Sequence, residues 1–182
     1  MNRNALLIAL YLLSIVCANV VTASFAPMKI GAMIVPMGSL LIGATFVLRD
    51  FVQRAVGRKK TYAAIAAAML LSLATSYVLG DTLWIVFASA VTFLVSETTD
   101  TELYTRLKLP MSLKVLYSGL VGGIVDSALF VVIGLSPLGA GFLPWEAVGY
   151  AIVGQVLIKT AMQCLGAAGI AVLTRPGRSA DA

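Results

Sequence analysis

Ionisable and amide side chains stand inside segments that are otherwise apolar, and their spacing sorts them onto helical faces. From Glu97, steps of three, four and seven reach Asp100, Thr101 and Tyr104, which places all four on one side of a helix. Two carboxylates within one turn repel when both are ionised, so one of them holds a proton or faces a cation. Arg49, Arg54, Arg106 and Lys159 are the candidate cations. Asp50 and Arg54 are spaced to pair across one turn, with Arg49 and Gln53 on the adjacent face. Gln155, Lys159 and Gln163 recur every four residues as one polar stripe. Asp126, beside Ser127, has apolar sequence on both sides, with Gly119, Gly122 and Gly123 a turn earlier; Asn19 interrupts the first apolar run.

What such a set can do is narrowed by what is missing. The chain has no histidine, which removes Ser-His and Cys-His nucleophilic pairs and His-ligated zinc. No Gly-x4-Gly-Lys-Ser/Thr segment occurs, so ATP phosphates have no P-loop to sit in. No cofactor is called for. A charged side chain at the centre of a bilayer costs roughly 2.5–3.5 kcal/mol on insertion scales, so such residues face the bundle interior and mark solute or ion pathways. Bland alternatives stand beside that reading. Arg54 reads as a helix-end arginine reaching for headgroups, Glu102 and Arg106 as a solvated end, and the glycines as packing. A structural ion pair is the competing account of Lys159 with an acid such as Asp126 or Glu97. Such pairs seldom add net stability over apolar packing, and several of them in a small protein favour a polar cavity.

The elements that must position these groups follow from composition. Of 182 residues, 60% are hydrophobic and 12% charged, and the mean hydropathy is +0.98. A soluble domain has about 45–50% apolar and about 25% charged residues. A crossing helix needs about 20 apolar residues, so the chain accommodates about six. Apolar periodicity and turn residues place them at about 5–25, 37–56, 61–79, 82–106, 113–135 and 145–173. The predicted fold is an all-α polytopic membrane protein, one transmembrane domain over 1–182. The first run is longer than the h-region of about 7–15 residues in a signal peptide, and reads as a retained helix. Residues 27–36 read as a loop or partly re-entrant stretch.

Six helices put Arg3, Arg58-Lys59-Lys60, Arg106 with Lys108 and Lys114, and Arg175 with Arg178 on one side, against Lys29, Asp81 and Glu146 on the other. The positive-inside rule then sets both termini in the cytoplasm. The net charge of +5 belongs to this bias rather than to nucleic acid. Cys17 and Cys164 lie in apolar segments and read as inert thiols. Ser179–Ala182 reads as a frayed tail.

These segments resemble the queuosine precursor transporters, the YhhQ or VUT family. The resemblance rests on Asn19, on Arg49-Asp50-x-x-Gln53-Arg54-x-x-Gly57-Arg58, on Ser96-Glu97-x-x-Asp100-Thr101-x-x-Tyr104 and on Gly122-x-x-x-Asp126-Ser127. Family members carry an acid where Gln53 stands, and this chain resembles a shorter branch. The resemblance implies uptake of 7-cyano-7-deazaguanine or its aminomethyl relative across a bacterial inner membrane, as a secondary transporter or facilitator. A guanine-like edge offers N–H donors to a carboxylate and acceptors to amides and cations. The expected substrate contacts are Asn19, Asp50, Gln53, Glu97, Asp100, Tyr104, Asp126, Gln155 and Lys159. Of these, Glu97 or Asp126 takes the donor edge, Asn19, Gln155 and Lys159 serve acceptors, and Tyr104 stacks or hydrogen-bonds. A small-molecule base, the lipid bilayer and a second copy of the chain are the partners this allows, and nucleic acid is not among them. Two rivals are a substrate-capture subunit of an energy-coupling-factor transporter, which would co-purify with an ATPase, and an intramembrane enzyme holding a metal on Glu97 and Asp100.

Overall fold

The computed structural model describes residues 2–173. The basic residues Arg175 and Arg178 and the tail Ser179–Ala182 lie outside the described residues. Among the described residues six α-helices follow in order: α1 (Arg3–Ser24), α2 (Ser39–Val56), α3 (Arg58–Val78), α4 (Leu83–Arg106), α5 (Met111–Leu129) and α6 (Trp145–Leu173). This is an all-α polytopic membrane protein. Five of the helical stretches are long and apolar enough to cross a bilayer. At 1.5 Å per residue the 22 residues of α1 reach about 33 Å, the thickness of the hydrocarbon core. The remaining helix, α2, has 18 residues and carries Arg49, Asp50 and Arg54. It packs between α1 and α6, and its first two charges are wholly buried.

Large apolar side chains such as Leu13, Leu70, Leu83 and Leu165 stand outside, while Arg49, Glu97, Gln155 and Lys159 stand inside. That inversion is what a lipid solvent selects, since nothing is gained by hiding leucine from hydrocarbon and much is lost by exposing a charge to it. Glycine supplies the close approaches. At Gly119 an added Cβ would overlap the Gln163 amide, so glycine leaves that amide its place between α5 and α6.

The connections differ from expectation in three places. Arg58, Lys59 and Lys60, expected to precede the third helix, form its first turn, because Gly57 at φ 79° reverses the chain in one residue. Residues 27–36, expected as a loop or re-entrant stretch, hold an antiparallel hairpin of β1 (Met28–Ile30) and β2 (Met33–Val35), with Met28 opposite Val35 and Gly31 in its turn at positive φ. Val35 is fully buried and β2 lies on α6. The fifth helix, expected as one element to 135, ends its α geometry at Leu129 and continues as a π-helical turn, Phe130–Leu135. Ser127 Oγ donates to the Gly123 carbonyl just before that change, a back-bond that loosens the regular ladder. Widened turns of this kind are frequent at functional sites.

Candidate functional site

Two polar clusters occupy the bundle, one above the other. The first lies between α2 and α4, toward the end that carries the basic residues. The Arg49 guanidinium is its hub: Nη1 meets Asp50 Oδ1 at 2.7 Å and donates to Gln53 Oε1 at 2.9 Å. Its Nε donates to Glu97 Oε2 at 3.2 Å, and Nη2 contacts Asp100. Gln53 Nε2 continues the chain to Thr105 Oγ1 at 2.9 Å and to the Thr101 carbonyl at 3.3 Å. Arg49, Asp50, Glu97 and Asp100 are each between 0% and 1% exposed. Asp50 does not pair with Arg54 as its spacing allowed; Arg54 turns outward to the Met111 sulfur. Glu97 and Asp100, the pair named for a metal, both face the Arg49 guanidinium.

The second cluster lies between α5 and α6. Lys159 Nζ donates to Asp126 Oδ2 at 2.5 Å, Ser127 Oγ at 3.0 Å and Gln155 Oε1 at 3.0 Å. An ammonium has three N–H bonds, so Lys159 is fully spent on the protein. Asp126 Oδ1 also accepts from Ser96 Oγ at 3.3 Å. Ser96 and Glu97 are neighbours, so this one step of α4 joins the two clusters.

The second cluster borders open space. A cavity of about 110 Å³ is lined by Asn19, Thr92, Asp126, Gln155 and Lys159, with Ile15, Ile42, Phe93 and Phe130 as apolar walls and Pro36 and Asp81 at the loop end. A water needs roughly 10–15 Å³ of such space, so several fit. Two of the lining residues, Gln155 and Thr92, each carry a wholly buried polar atom, Nε2 and Oγ1, with no partner in the protein. An unpaired buried donor costs about 1–3 kcal/mol.

The structure therefore divides the expected contacts. Asn19, Asp126, Gln155 and Lys159 line the cavity, whereas Asp50, Gln53, Glu97 and Asp100 belong to the arginine network. Tyr104 sits in a separate apolar cluster with Val115 and Ile170, beneath the Lys114 ammonium at 5.3 Å from its ring centre. Roles shift as well. Asn19 Nδ2 donates to Ser72 Oγ at 3.0 Å and Thr75 Oγ1 at 2.7 Å, which leaves Oδ1, an acceptor, as the unbonded atom of that amide. Sequence reasoning missed Thr92, Asp81, Ser72, Ser76 and Ser89, all on the cavity lining. Ser72 and Ser76 fall on one face of α3 at a spacing of four, a weak signal that the alanine-rich sequence around them hides.

A helical bundle that encloses a polar cavity toward one end and closes the other with buried ion pairs is the construction of a membrane transport protein. The family model described as "Putative vitamin uptake transporter" matches residues 74–173. The chain belongs to that family. No curated protein and no solved structure matches it.

Proposed function

We propose that this chain, acting as one transmembrane domain, carries a queuosine precursor, 7-cyano-7-deazaguanine or its aminomethyl relative, into a bacterial cytoplasm. Transport is secondary or facilitated. The observation that carries this reading is the cavity lined by Asn19, Asp126, Lys159 and Gln155, whose amide Nε2 has no protein partner. An amide N–H in that position suits a ring carbonyl, while Asn19 Oδ1 and the Asp126 carboxylate suit the N–H edge of a deazaguanine. Phe93 and Phe130 offer walls for a flat ring. Family membership and the motif segments in α2, α4 and α5 support the same class of solute.

The arginine network is then the closed gate on the cytoplasmic side, with Asp50, Gln53, Glu97 and Asp100 holding Arg49 while the cavity faces outward. Both termini lie in the cytoplasm by the distribution of Arg3, Arg58, Lys59, Lys60, Arg106 and Lys108. The test is complementation. Cells that cannot make the precursor and lack their own importer are given this gene and either deazaguanine. The modified base is expected in their transfer RNA; its absence, with the protein present in the membrane, refutes the substrate.

A further inference from the structure

Asp81 and Glu146, both near loop ends, differ from the other described acids in their electrostatic company, and of the two Asp81 lines the cavity. Among the described residues, Asp50, Glu97, Asp100, Glu102 and Asp126 each meet an arginine or a lysine. Asp81 meets none, although it lines the cavity and is partly buried. Its position is fixed all the same. Ser76 Oγ donates to Asp81 Oδ2, and the Asp81 backbone N–H donates to the Ser76 carbonyl at 3.1 Å. The ordinary task of an acid ahead of a helix, capping its N–H groups, is done by a neighbour: Thr82 Oγ1 accepts from the Ile85 N–H at 3.3 Å.

The charges of the cavity follow. Lys159 and Asp126 cancel at 2.5 Å, and Asp81 leaves one negative charge uncompensated at the loop end. Half-buried at the cavity's loop end rather than fully hydrated, that charge favours a cation over a neutral group. Among the other residues on the same lining, Gln155 Nε2 and Thr92 Oγ1 are left without partners. They offer hydrogen bonds and no charge.

We propose that Asp81 is an ammonium subsite, so that the cavity takes a ligand with two distinct ends. An uncharged hydrogen-bonding body lies against Gln155 and Thr92, and a protonated primary amine pairs with Asp81. The proposal deepens the transport reading above and rests on the same cavity. Applied to the two precursors it makes a choice. The aminomethyl group is protonated at neutral pH, as an unperturbed alkylamine is, and the cyano group carries no charge. The aminomethyl form is the preferred cargo.

The experiment compares two amine–nitrile pairs on the purified full chain. Affinities are read by thermal stabilisation for aminomethyl- against cyano-deazaguanine, and for benzylamine against benzonitrile, with uptake of the two labelled deazaguanines measured in proteoliposomes. The amine is expected to bind about tenfold more tightly than its nitrile, the worth of one charge-assisted hydrogen bond. Asp81→Asn should bring that ratio close to one, and Asp81→Ser serves as a second variant should the first fold poorly. A preference for benzylamine that vanishes in the variants, with neither deazaguanine bound or carried, upholds the ammonium subsite and sinks the queuosine reading. Equal binding within both pairs, or an amine preference that survives both variants, overturns the subsite whatever is carried.

Discussion

The two polar clusters use the same residue types and have different fates. Around Arg49, charge meets charge between α2 and α4 at 0–1% exposure, and Arg49, Asp50, Glu97 and Asp100 are not on the cavity lining. Around Lys159, one ammonium meets one carboxylate that remains 14% exposed, and a cavity begins beside them. Unpartnered atoms occur in both regions. Thr101 Oγ1 is as deeply buried as Thr92 Oγ1, but Thr101 does not line the cavity. A polar group in a membrane helix is thus ambiguous in isolation, because it serves equally to lock two helices or to meet a solute. The void beside it is the discriminating feature.

The comparison breaks most visibly through Arg49. Arg49→Met leaves three buried carboxylates facing one another with no cation, and stranding a buried charge costs about 3–5 kcal/mol. Detergent-solubilised protein should show a large fall in thermal midpoint or fail to accumulate folded. A variant as stable as the parent would mean that the network does not hold α2 to α4.

Lys159→Met should act in the opposite proportion. Asp126 can turn toward cavity water, so the stability loss is smaller than for Arg49→Met. Uptake should fall roughly 10- to 100-fold, the worth of a charged hydrogen-bond anchor that also orients Gln155. Equal damage to stability and uptake in both variants would erase the distinction between gate and site.

Accessibility sharpens the same contrast. In a background carrying Cys17→Ala and Cys164→Ala, Ser89→Cys on the cavity wall should react with a membrane-impermeant maleimide added outside. Thr101→Cys in the arginine network should stay protected. Labelling of the second and not the first would invert the proposed orientation.

The smallest effect is expected at Thr92. Thr92→Val removes a buried hydroxyl that has no protein partner, so the thermal midpoint should hold or rise slightly, while the apparent KM for uptake rises about three- to tenfold. An unchanged KM would show that this hydroxyl never meets the solute.

How much of this was legible in the sequence depends on the range of the interaction. Contacts one turn apart were readable, because helix geometry alone brings them together: Arg49 reaches Gln53 at 2.9 Å, and Lys159 reaches Gln155 at 3.0 Å. The pairing of Asp50 with Arg54 had the same spacing and did not form, because a neighbouring helix supplied Arg49 with Glu97 and Asp100 and drew Asp50 into that network. Asp81 was legible only as a loop residue, since its place on the cavity depends on how α3 ends beside α4.

The sequence by itself determined the solvent and the architecture. Long apolar runs can satisfy their backbone groups in lipid only as helices, and the charges inside those runs had to turn inward. It left undecided which acid meets which base across helices, and where the interior stays hollow. Those are matters of interhelical packing, where the bulk of side chains such as Met162 and Phe46, and the absence of one at Gly43 and Gly119, sets how closely each pair approaches. Only the folded bundle sums those volumes, closing the space around Arg49 and leaving it open beside Lys159.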